Sequence, residues 1–349
     1  MQEKKRENLT VVIPNWNGKD FLAPCLDSLL RQSVPCPPII VVDNGSTDDS
    51  RAFLQKHYPR VQIVALPDNL GFSAAINAGI SHADTAWVFL LNNDTQLHPR
   101  CLETMNERCF RQNEYDMFAL KMMSYHDRTM IDGAGDSVLR GGVGYRLGTG
   151  EYDKTPYAMR REVFGACAGA GLYRLSLFNK IGTFDEDFFA YLEDVDFNIR
   201  AKRAGVKCCY IPDAVVYHIG SATSGSTINP FTIRLSTRNN VFVIIKHVSV
   251  RLFIWFLPAF LVYQFFWLVF VIKKGHFSSY IAGIVESIRY LGAMIGKRKS
   301  IKSTSILSSR QLVRACIDAE REAIYSIMMR RRQHNRTNVL LHLYLRIFC

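Results

Sequence analysis

The sequence lacks the cysteine patterns that indicate a zinc site or a disulfide framework. Its nine cysteines include no C-x-x-C pair and no Cys/His spacing typical of zinc ligands. We interpret them as small hydrophobic residues in a reducing compartment; they are residues 25, 36, 101, 109, 167, 208, 209, 316 and 349. The first ten residues, MQEKKRENLT, contain no apolar segment, so no signal peptide is expected and the body should remain in the cytosol.

Two common nucleotide-binding motifs are also missing. The chain has neither G-x-G-x-x-G nor G-x-x-x-x-G-K-[ST], which argues against a classical dinucleotide fold and against a P-loop. Acidic residues are scarce after Phe231, where 19 Lys and Arg stand against 4 Asp and Glu, whereas the first 230 residues carry a net charge of −3. A near-neutral body thus precedes a basic tail, which suits contact with nucleic acid or an anionic membrane.

Four apolar segments in the first part of the chain each end in a polar loop. They are predicted as buried strands at residues 10–13, 39–42, 61–66 and 86–91, with amphipathic helices between them. This order predicts an α/β fold with a doubly wound, mostly parallel sheet. Because ligands of such sheets bind beyond the carboxyl ends of the strands, the four polar loops predict a nucleotide pocket.

The fourth strand has the most informative ending. The run AWVFLLNNDT, residues 86–95, passes directly from buried apolar residues to Asn92, Asn93 and Asp94. Such a triplet can hold Mg²⁺ or Mn²⁺, which in turn holds phosphate oxygens. The alternative is a simple helix cap, because Asn and Asp also end strands and begin helices.

The most acidic segment is FDEDFFAYLEDVDFNIRAKRAG, residues 184–205. Six carboxylates lie between Asp185 and Asp196, and some are explained by the preference of acids for a helix N-terminus. Their mixing with aromatic residues suggests a partly buried carboxylate with an altered pKa, as a general base requires. His218 follows an apolar run and, considered alone, is interpreted as a core histidine.

A Gly-rich segment, residues 125–162, separates these two parts of the predicted pocket. It is predicted as loops or a small hairpin lying over the pocket. The following run of small residues, 164–174, would let a bulky group approach the backbone.

Taken together, these motifs resemble the inverting nucleotide-sugar glycosyltransferases of family two, which have the GT-A fold. Six segments match in the family's order and cover about residues 9 to 225; they are VVIPNWNG (11–18), VVDNGSTD (41–48), NLGFSAAINAG (69–79), FLLNNDT (89–95), the acidic segment (184–205) and PDAVVYHIGSAT (212–223). Within the family the chain is most similar to bacterial rhamnosyltransferases of surface-polysaccharide assembly, on GAGDSVLRGG, GACAGAGLYR and the form of the tail.

The resemblance implies roles for individual residues. Its donor-binding residues would contact the base, the ribose or the rest of the nucleotide; they are Pro14, Asn15, Asp43, Asn69, Gly71, Asn77, Asn92 and Asn93. The triplet ending in Asp94 stands where the family has a D-x-D-like metal motif, although only Asp94 is a carboxylate here, and His218 would be a second ligand of the metal or diphosphate. Asp194 would be the general base and Glu193 would hold an acceptor hydroxyl.

The tail contains a long apolar run. Residues 252–272 carry no charge and would span about 31 Å as a helix, enough to cross a bilayer. Pro258, Gln264 and internal aromatic residues also fit a monotopic or re-entrant segment, which we favour over a crossing. Nucleic-acid binding does not require such a run, so membrane lipids are the expected partner, on the cytoplasmic face of the inner membrane. Amphipathic character at 280–295 and an apolar end at 339–349 agree with this.

The sequence therefore predicts a GT-A catalytic domain over residues 1–230 and a helical membrane-associating region over residues 231–349. The expected reaction is metal-dependent transfer of a sugar, plausibly L-rhamnose from dTDP-rhamnose, to a polyprenyl-diphosphate-linked glycan. The alternatives are a UDP- or GDP-sugar transferase of the same fold and a non-catalytic membrane scaffold. A nucleotidyltransferase would need neither the anchor nor the acidic pair.

Overall fold

The computed structural model describes residues 9–220 and 228–349 of the chain. The strands are β1 Leu9–Asn15, β2 Ile39–Asn44, β3 Gln62–Leu66, β4 Trp87–Leu91, β5 Thr95–Leu97, β6 Met117–Ser124, β7 Ile131–Gly133, β8 Asp136–Leu139, β9 Val143–Arg146, β10 Arg161–Val163, β11 Ala170–Arg174 and β12 Cys208–His218. The helices of the first 220 residues are α1 Lys19–Leu30, α2 Ser50–His57, α3 Phe72–Ser81, α4 Cys101–Arg108, α5 Leu175–Ile181 and α6 Glu193–Arg203.

The tail is helical. Its elements are α7 Pro230–His247, α8 Val250–Lys273, α9 Phe277–Arg289, α10 Leu291–Ser303, α11 Ser309–Gln333 and α12 Val339–Phe348.

The central sheet has the strand order β10-β12-β6-β11-β4-β1-β2-β3. The four strands β3, β2, β1 and β4 are mutually parallel, and β12 is parallel to β6. Between these two parallel groups lies β11, which is antiparallel to both of its neighbours. The predicted α/β architecture is thus confirmed. After β4 the chain returns to the sheet as β11, which pairs with β4 in the antiparallel direction.

Strand β1 shows why helices cover both faces of the sheet. Side chains alternate between the faces of a strand. Val11 and Ile13 are buried in a cluster with Leu22 of α1, whereas Val12 is buried on the other face in a cluster with Ile76 of α3. The fully apolar strand pattern is explained by this two-sided burial.

The Gly-rich segment folds into short strands. The segment predicted as loops or a small hairpin contains β7, which pairs with β6, and the separate hairpin β8–β9. Strand β12 runs on to His218, with a register shift between Ile211 and Val215. The predicted amphipathic stretch at 280–295 is interrupted at Tyr290, whose ring packs 5.5 Å from that of Phe242.

Helix α7 connects the tail to the first 220 residues, and α8 is hydrogen-bonded to α7 at two neighbouring positions. Gln264 Nε2 donates to Asn240 Oδ1 at 2.6 Å, and Trp267 Nε1 donates to Thr237 Oγ1 at 3.0 Å. By length and composition, Leu252–Lys273 in α8 is the one helical segment among the described residues that could cross a bilayer. One side of this apolar helix is therefore fastened to the protein itself.

Candidate active site

The carboxyl ends of β1 and β4 meet at the centre of the sheet. Asn93, just after β4, donates from Nδ2 to Oδ1 of Asn15 at the end of β1, at 2.8 Å. Gly18 lies so close to both amides that a Cβ there would collide with them. The predicted donor residues Asn15 and Asn93 are thus in contact. Pro14, a third predicted donor residue, precedes Asn15 in β1.

Asp43, in β2, is the most unusual polar residue at this edge. Its side chain is only 1% exposed, yet neither carboxylate oxygen accepts a hydrogen bond from any described residue. Among the described residues it makes one ion pair, with Arg51, whose Nε lies 3.9 Å from Oδ2. Buried carboxylates normally have hydrogen-bond partners, so these two oxygens are well suited to accept them from a ligand.

Asn69 and Gly71 shape the loop that follows β3. Asn69 Oδ1 accepts hydrogen bonds from Asn44 Nδ2 at 3.0 Å and from the Gly71 amide at 3.1 Å. Gly71 has φ +92°, and a Cβ at this position would collide with the carbonyl of Phe189. Glycine is therefore required where this loop meets the acidic segment.

The side chain of Asn77 is hydrogen-bonded to the acidic segment. Its Nδ2 donates to the Phe184 carbonyl at 2.8 Å and to Glu186 Oε1 at 2.9 Å, and its Oδ1 accepts from the Phe184 amide at 3.0 Å. The amide is thus engaged within the chain and fastens α3 to the acidic segment. Contact of Asn77 with a nucleotide stays a prediction.

Asp94 and His218 come together because β5, which follows Asp94, pairs with the end of β12. Nε2 of His218 lies 3.4 Å from Oδ1 of Asp94, and Nδ1 lies 2.8 Å from Oδ2 of Asp132. Burial opposes the imidazolium charge, but the hydrogen bonds to Asp132 and Asp94 outweigh it and raise the pKa of His218 to about 9. His218 is therefore held between two carboxylates and is not a core histidine.

The donor set at this position fits a divalent cation. Asp94 offers a carboxylate and His218 an imidazole nitrogen directed at it. Asn92, two residues before Asp94, has a buried Oδ1 for which no described residue supplies a hydrogen bond. Carboxylate, amide and imidazole groups are ligands that Mg²⁺ or Mn²⁺ accepts. A cation bound between Asp94 and His218 would be favourable because both side chains could then serve as its ligands.

The backbone before the acidic pair is strained and is held by α7. Phe189, Tyr191 and Leu192 all have positive φ, between 63° and 70°. Nδ2 of Asn239 donates to three carbonyls in this turn, those of Phe188, Ala190 and Tyr191, at 2.7–2.9 Å. A left-handed conformation costs about 1–3 kcal/mol per residue and persists only where surrounding contacts impose it, and Asn239 supplies such contacts.

Glu193 and Asp194 form the first turn of α6. Glu193 is 6% exposed, and its Oε2 is buried without a hydrogen-bond partner in the described part of the chain. Burial and the neighbouring Asp194 raise the pKa of Glu193 well above its usual range. Burial also raises the pKa of Asp194, although Arg146 and the Val195 amide oppose this rise. A raised carboxylate pKa suits a general base that must accept a proton.

Arg146 joins the two halves of the site. From the end of β9 its Nη1 lies 2.7 Å from Oδ2 of Asp132, the residue that also contacts His218. Its Nη2 donates to Sγ of Cys167 at 3.1 Å. Side-chain atoms of Cys167, Asp136 and Asp194 lie within 4.8 Å of one another. One network thus runs from Asp94 to Asp194.

The chain is similar in sequence and in fold to known proteins. Residues 10–182 match Glycosyl transferase family 2. This part of the chain is a family 2 glycosyltransferase domain.

Two curated relatives have similar sequences. The N-acetylglucosaminyl-diphospho-decaprenol L-rhamnosyltransferase of Mycobacterium tuberculosis (strain ATCC 25618 / H37Rv) is 28% identical over 243 residues, covering 62% of this chain and 78% of the relative. A PGL/p-HBAD biosynthesis glycosyltransferase of Mycobacterium bovis (strain BCG / Pasteur 1173P2) is 27% identical over 194 residues, covering 55% of this chain and 68% of the relative. The chain is therefore a glycosyltransferase that resembles rhamnosyltransferases.

Two solved structures show the same GT-A fold. S. aureus TarS 1–349 in complex with UDP-GlcNAc gives a TM-score of 0.51 at 17% identity, covering 95% of this chain and 93% of that one. The mannosyltransferase PcManGT from Pyrobaculum calidifontis, in complex with GDP-Man and Mn²⁺, gives 0.50 at 12% identity, covering 94% and 88%. At sequence identities of 17% and 12%, the similarity to these two structures shows a shared fold and nothing more specific.

Four residues of the glycosyltransferase site were missed by the sequence reasoning. Asp132, Asp136 and Arg146 lie in the Gly-rich segment, for which only a position over the pocket was predicted. Cys167 was interpreted as a small hydrophobic residue, but its thiol accepts a hydrogen bond from Arg146. The available signal was four charged residues, Asp132, Asp136, Arg140 and Arg146, within an otherwise neutral segment, IDGAGDSVLRGGVGYR.

Proposed function

We propose that this glycosyltransferase moves a sugar, plausibly L-rhamnose from dTDP-rhamnose, onto a polyprenyl-diphosphate-linked glycan with inversion at the anomeric carbon. The observation that carries the proposal is the buried network from Asp94 and His218, through Asp132 and Arg146, to Asp194. It supports a cation site at Asp94 and His218 and a carboxylate base at Asp194, linked through Arg146, for transfer from a diphosphate donor to a hydroxyl acceptor.

The donor would lie along the carboxyl ends of β1, β2 and β4. Asp43 would accept hydrogen bonds from the base or ribose, because its buried oxygens lack partners among the described residues. Asp94, His218 and Asn92 would hold Mg²⁺ or Mn²⁺, which supplies Lewis-acid stabilisation of the diphosphate leaving group. Asn15 and Asn93, whose hydrogen bond joins the ends of β1 and β4, would hold the donor in position.

Asp194 would take the proton of the acceptor hydroxyl. As that O–H bond breaks, the acceptor oxygen forms a bond to the anomeric carbon, and the bond from that carbon to the diphosphate oxygen breaks with its electron pair. Glu193, one residue earlier at the start of α6, would hold an acceptor hydroxyl through its unpartnered Oε2. One base on one face of the sugar gives a single displacement, hence inversion.

The acceptor would be presented at a membrane surface by the tail. On α8 the side chains of Ile254 and Trp255 are 68% and 78% exposed, while Gln264 and Trp267 are bonded to α7. Because Gln264 and Trp267 tie α8 to α7 in the second half of the helix, we propose that α8 lies in the plane of the membrane. Basic residues of the tail would contact anionic headgroups on the cytoplasmic face of the inner membrane.

The proposal is tested by calorimetric titration of the detergent-solubilised protein with dTDP, UDP and GDP, each with and without Mn²⁺. We expect Mn²⁺-dependent binding with preference for dTDP. Preference for UDP or GDP would replace the donor by a sugar of that nucleotide. If folded protein bound none of the three, the non-catalytic scaffold would be the better description.

A further inference from the structure

Asp136 is held firmly at the start of the β8–β9 hairpin. Its backbone amide donates to the Gly165 carbonyl at 2.9 Å, and its carbonyl accepts from the Gly165 amide at 3.2 Å. The preceding Gly135 has φ +92°, and a Cβ there would press on Val163. The Asp136 side chain is 6% exposed. The carboxyl group is therefore fixed by backbone contacts on both sides and is shielded from water.

The carboxyl group of Asp136 lies against that of Asp194. Their oxygens and the sulfur of Cys167 are within 4.8 Å of one another. Two carboxylates so close together repel each other when one of them is buried, and a proton on either one removes the repulsion. The arrangement therefore favours one proton on the pair in the resting enzyme.

The surroundings of the two carboxyl groups differ. Arg146 from β9 faces the pair, as do Asp132 from β7, Glu193 from α6 and the thiol of Cys167. Asp194 has a further donor, because its Oδ1 accepts the Val195 amide at 2.8 Å, and it is less buried than Asp136. Burial and Asp194 raise the pKa of Asp136 well above its usual range against the charge of Arg146, whereas Arg146 and the Val195 amide restrain the rise for Asp194. The amide donor and the greater exposure of Asp194 therefore point to Asp136 as the neutral member.

We propose that Asp136 is a positioning residue whose protonated carboxyl group donates a hydrogen bond to Asp194, keeping that base ionised and directed at the acceptor hydroxyl. The inference rests on the proposed role of Asp194 as the base. During transfer the acceptor proton moves to Asp194 and Asp136 keeps its own proton. After the product leaves, Asp194 returns its proton to solvent.

The same three residues, Asp136, Cys167 and Asp194, also make up a possible set of metal ligands. Arg146 argues against this use, because its guanidinium donates to the Cys167 sulfur at 3.1 Å and brings a positive charge to the cluster. A metal at this position is therefore an outcome that the experiment must be able to reveal.

The test compares Asp136→Asn with Asp136→Ala through the pH dependence of kcat/KM, whose rising limb reports ionisation of the base. Asn keeps a donor toward Asp194, so we expect activity within about threefold of wild type and an unmoved limb. Ala removes the donor, which should lower kcat/KM about 10–100-fold and move the limb up by about one pH unit. Glu151→Gln, a buried carboxyl group elsewhere in this segment, is the matched control and should leave the limb in place.

Three results would overturn the inference. If both variants moved the limb to lower pH, Asp136 would be an anion that repels Asp194. If both variants lost kcat/KM to the same extent and the rising limb stayed at the same pH, Asp136 would have a purely structural role. Loss of a bound metal from Asp136→Asn, measured by elemental analysis of the purified protein, would indicate a metal site. Thermal unfolding and nucleotide titration of each variant verify folding.

Failure of the proposed function gives a different pattern of results. In that case Asp194→Asn would transfer sugar normally, whatever the Asp136 variants did. If Asp194→Asn is inactive but binds nucleotide, and the Asp136 variants behave in one of the three contradicting ways, the base assignment stands and only the role of Asp136 is rejected.

Discussion

His218 Nε2 lies 3.4 Å from Asp94 Oδ1, although the two residues belong to motifs far apart in the sequence. They meet because His218, the last residue of β12, pairs with Thr95 of β5. The opposite nitrogen of His218 is held by Asp132 at 2.8 Å, which fixes the orientation of the ring. A histidine oriented by a second carboxylate is the usual arrangement of a metal-binding histidine.

This relationship predicts that Asp94→Ala will weaken Mn²⁺-dependent nucleotide binding by at least about tenfold, because loss of even an outer-shell partner of a metal ligand costs about 10–100-fold. Binding without Mn²⁺ should change little. Calorimetric titration with the preferred nucleoside diphosphate measures both values. Asp84→Asn, an exposed carboxylate after α3, is the control. Equal binding by Asp94→Ala and wild type in Mn²⁺ would remove Asp94 from the metal site.

Asn239→Ala should loosen the turn that precedes the acidic pair. The substitution leaves the carbonyls of Phe188, Ala190 and Tyr191 without the donor that they share. Unsatisfied buried groups cost about 1–3 kcal/mol, so we expect a lower free energy of unfolding by that amount and slower transfer. Denaturant titration and a transfer assay measure the two effects. Unchanged stability would show that the left-handed turn does not depend on α7.

The same contact affects how the membrane anchor can be tested. Removing all residues after about 230 is the simplest test of the tail, but it would also remove Asn239 and Lys246, which bond to Phe188 and Asp196 of the acidic segment. We therefore expect such a truncation to damage the catalytic body. Point substitutions on the exposed side of α8 separate the two roles.

Ile254→Glu/Trp255→Glu should reduce flotation with vesicles containing anionic lipid, because it places two charges on the exposed apolar side of α8. The fold should persist, since both side chains are mostly exposed. Leu30→Glu/Met159→Glu changes two equally accessible apolar residues on the catalytic body and should float like wild type. If both double variants floated alike, the exposed side of α8 would not be the membrane contact.

His247 predicts a loss of stability in mild acid. Burial lowers the pKa of His247 to about 4, against the hydrogen bond that its Nε2 makes to Asp196 at 2.8 Å. The native imidazole stays neutral while the unfolded one gains a proton below about pH 6.5. The stabilisation is therefore present above pH 6.5 and is lost as the pH falls toward 4, by about 2–3 kcal/mol.

Denaturant unfolding at pH 7 and pH 4.5 checks this expectation. His247→Gln keeps a donor for Asp196 but cannot titrate, so its difference in stability between the two pH values should be smaller than that of wild type. Asp196, whose pKa is held low by Lys246 and Arg200 against the effect of burial, weakens the fold only at still lower pH. An equal pH dependence in both proteins would contradict the assignment to His247.

The strands and the ends that carry the donor residues could be predicted from local pattern. Apolar runs with polar endings determine both a buried parallel strand and its ligand-facing edge, so Asn15, Asp43 and Asp94 were all placed correctly at strand ends. The role of Asn77 could not be predicted, because its partners Phe184 and Glu186 lie far along the chain. Local pattern does not report such long-range contacts.

The same limit explains the residues missed in the Gly-rich segment. The Gly-rich segment has no hydrophobic periodicity from which a strand register could be inferred. The sequence therefore could not show that Arg146 lies beside Asp132 or that Asp136 lies beside Asp194. Their positions follow from the pairing of β8 with β9 and from the bridge between Asp136 and Gly165. The division of the chain near residue 230 stays a proposal, and the contacts of α7 with the acidic segment make the two parts interdependent.

The most direct test of the account is transfer of labelled sugar from its nucleotide donor to a polyprenyl-diphosphate-linked acceptor by wild type and by Asp194→Asn, with nucleotide binding measured on the same preparations. We predict that Asp194→Asn loses at least about 99% of transfer, since general-base catalysis contributes about 10²–10⁴-fold, and binds nucleotide as wild type does. Near-normal transfer by Asp194→Asn would contradict the assignment of the base and, with it, the proposed mechanism.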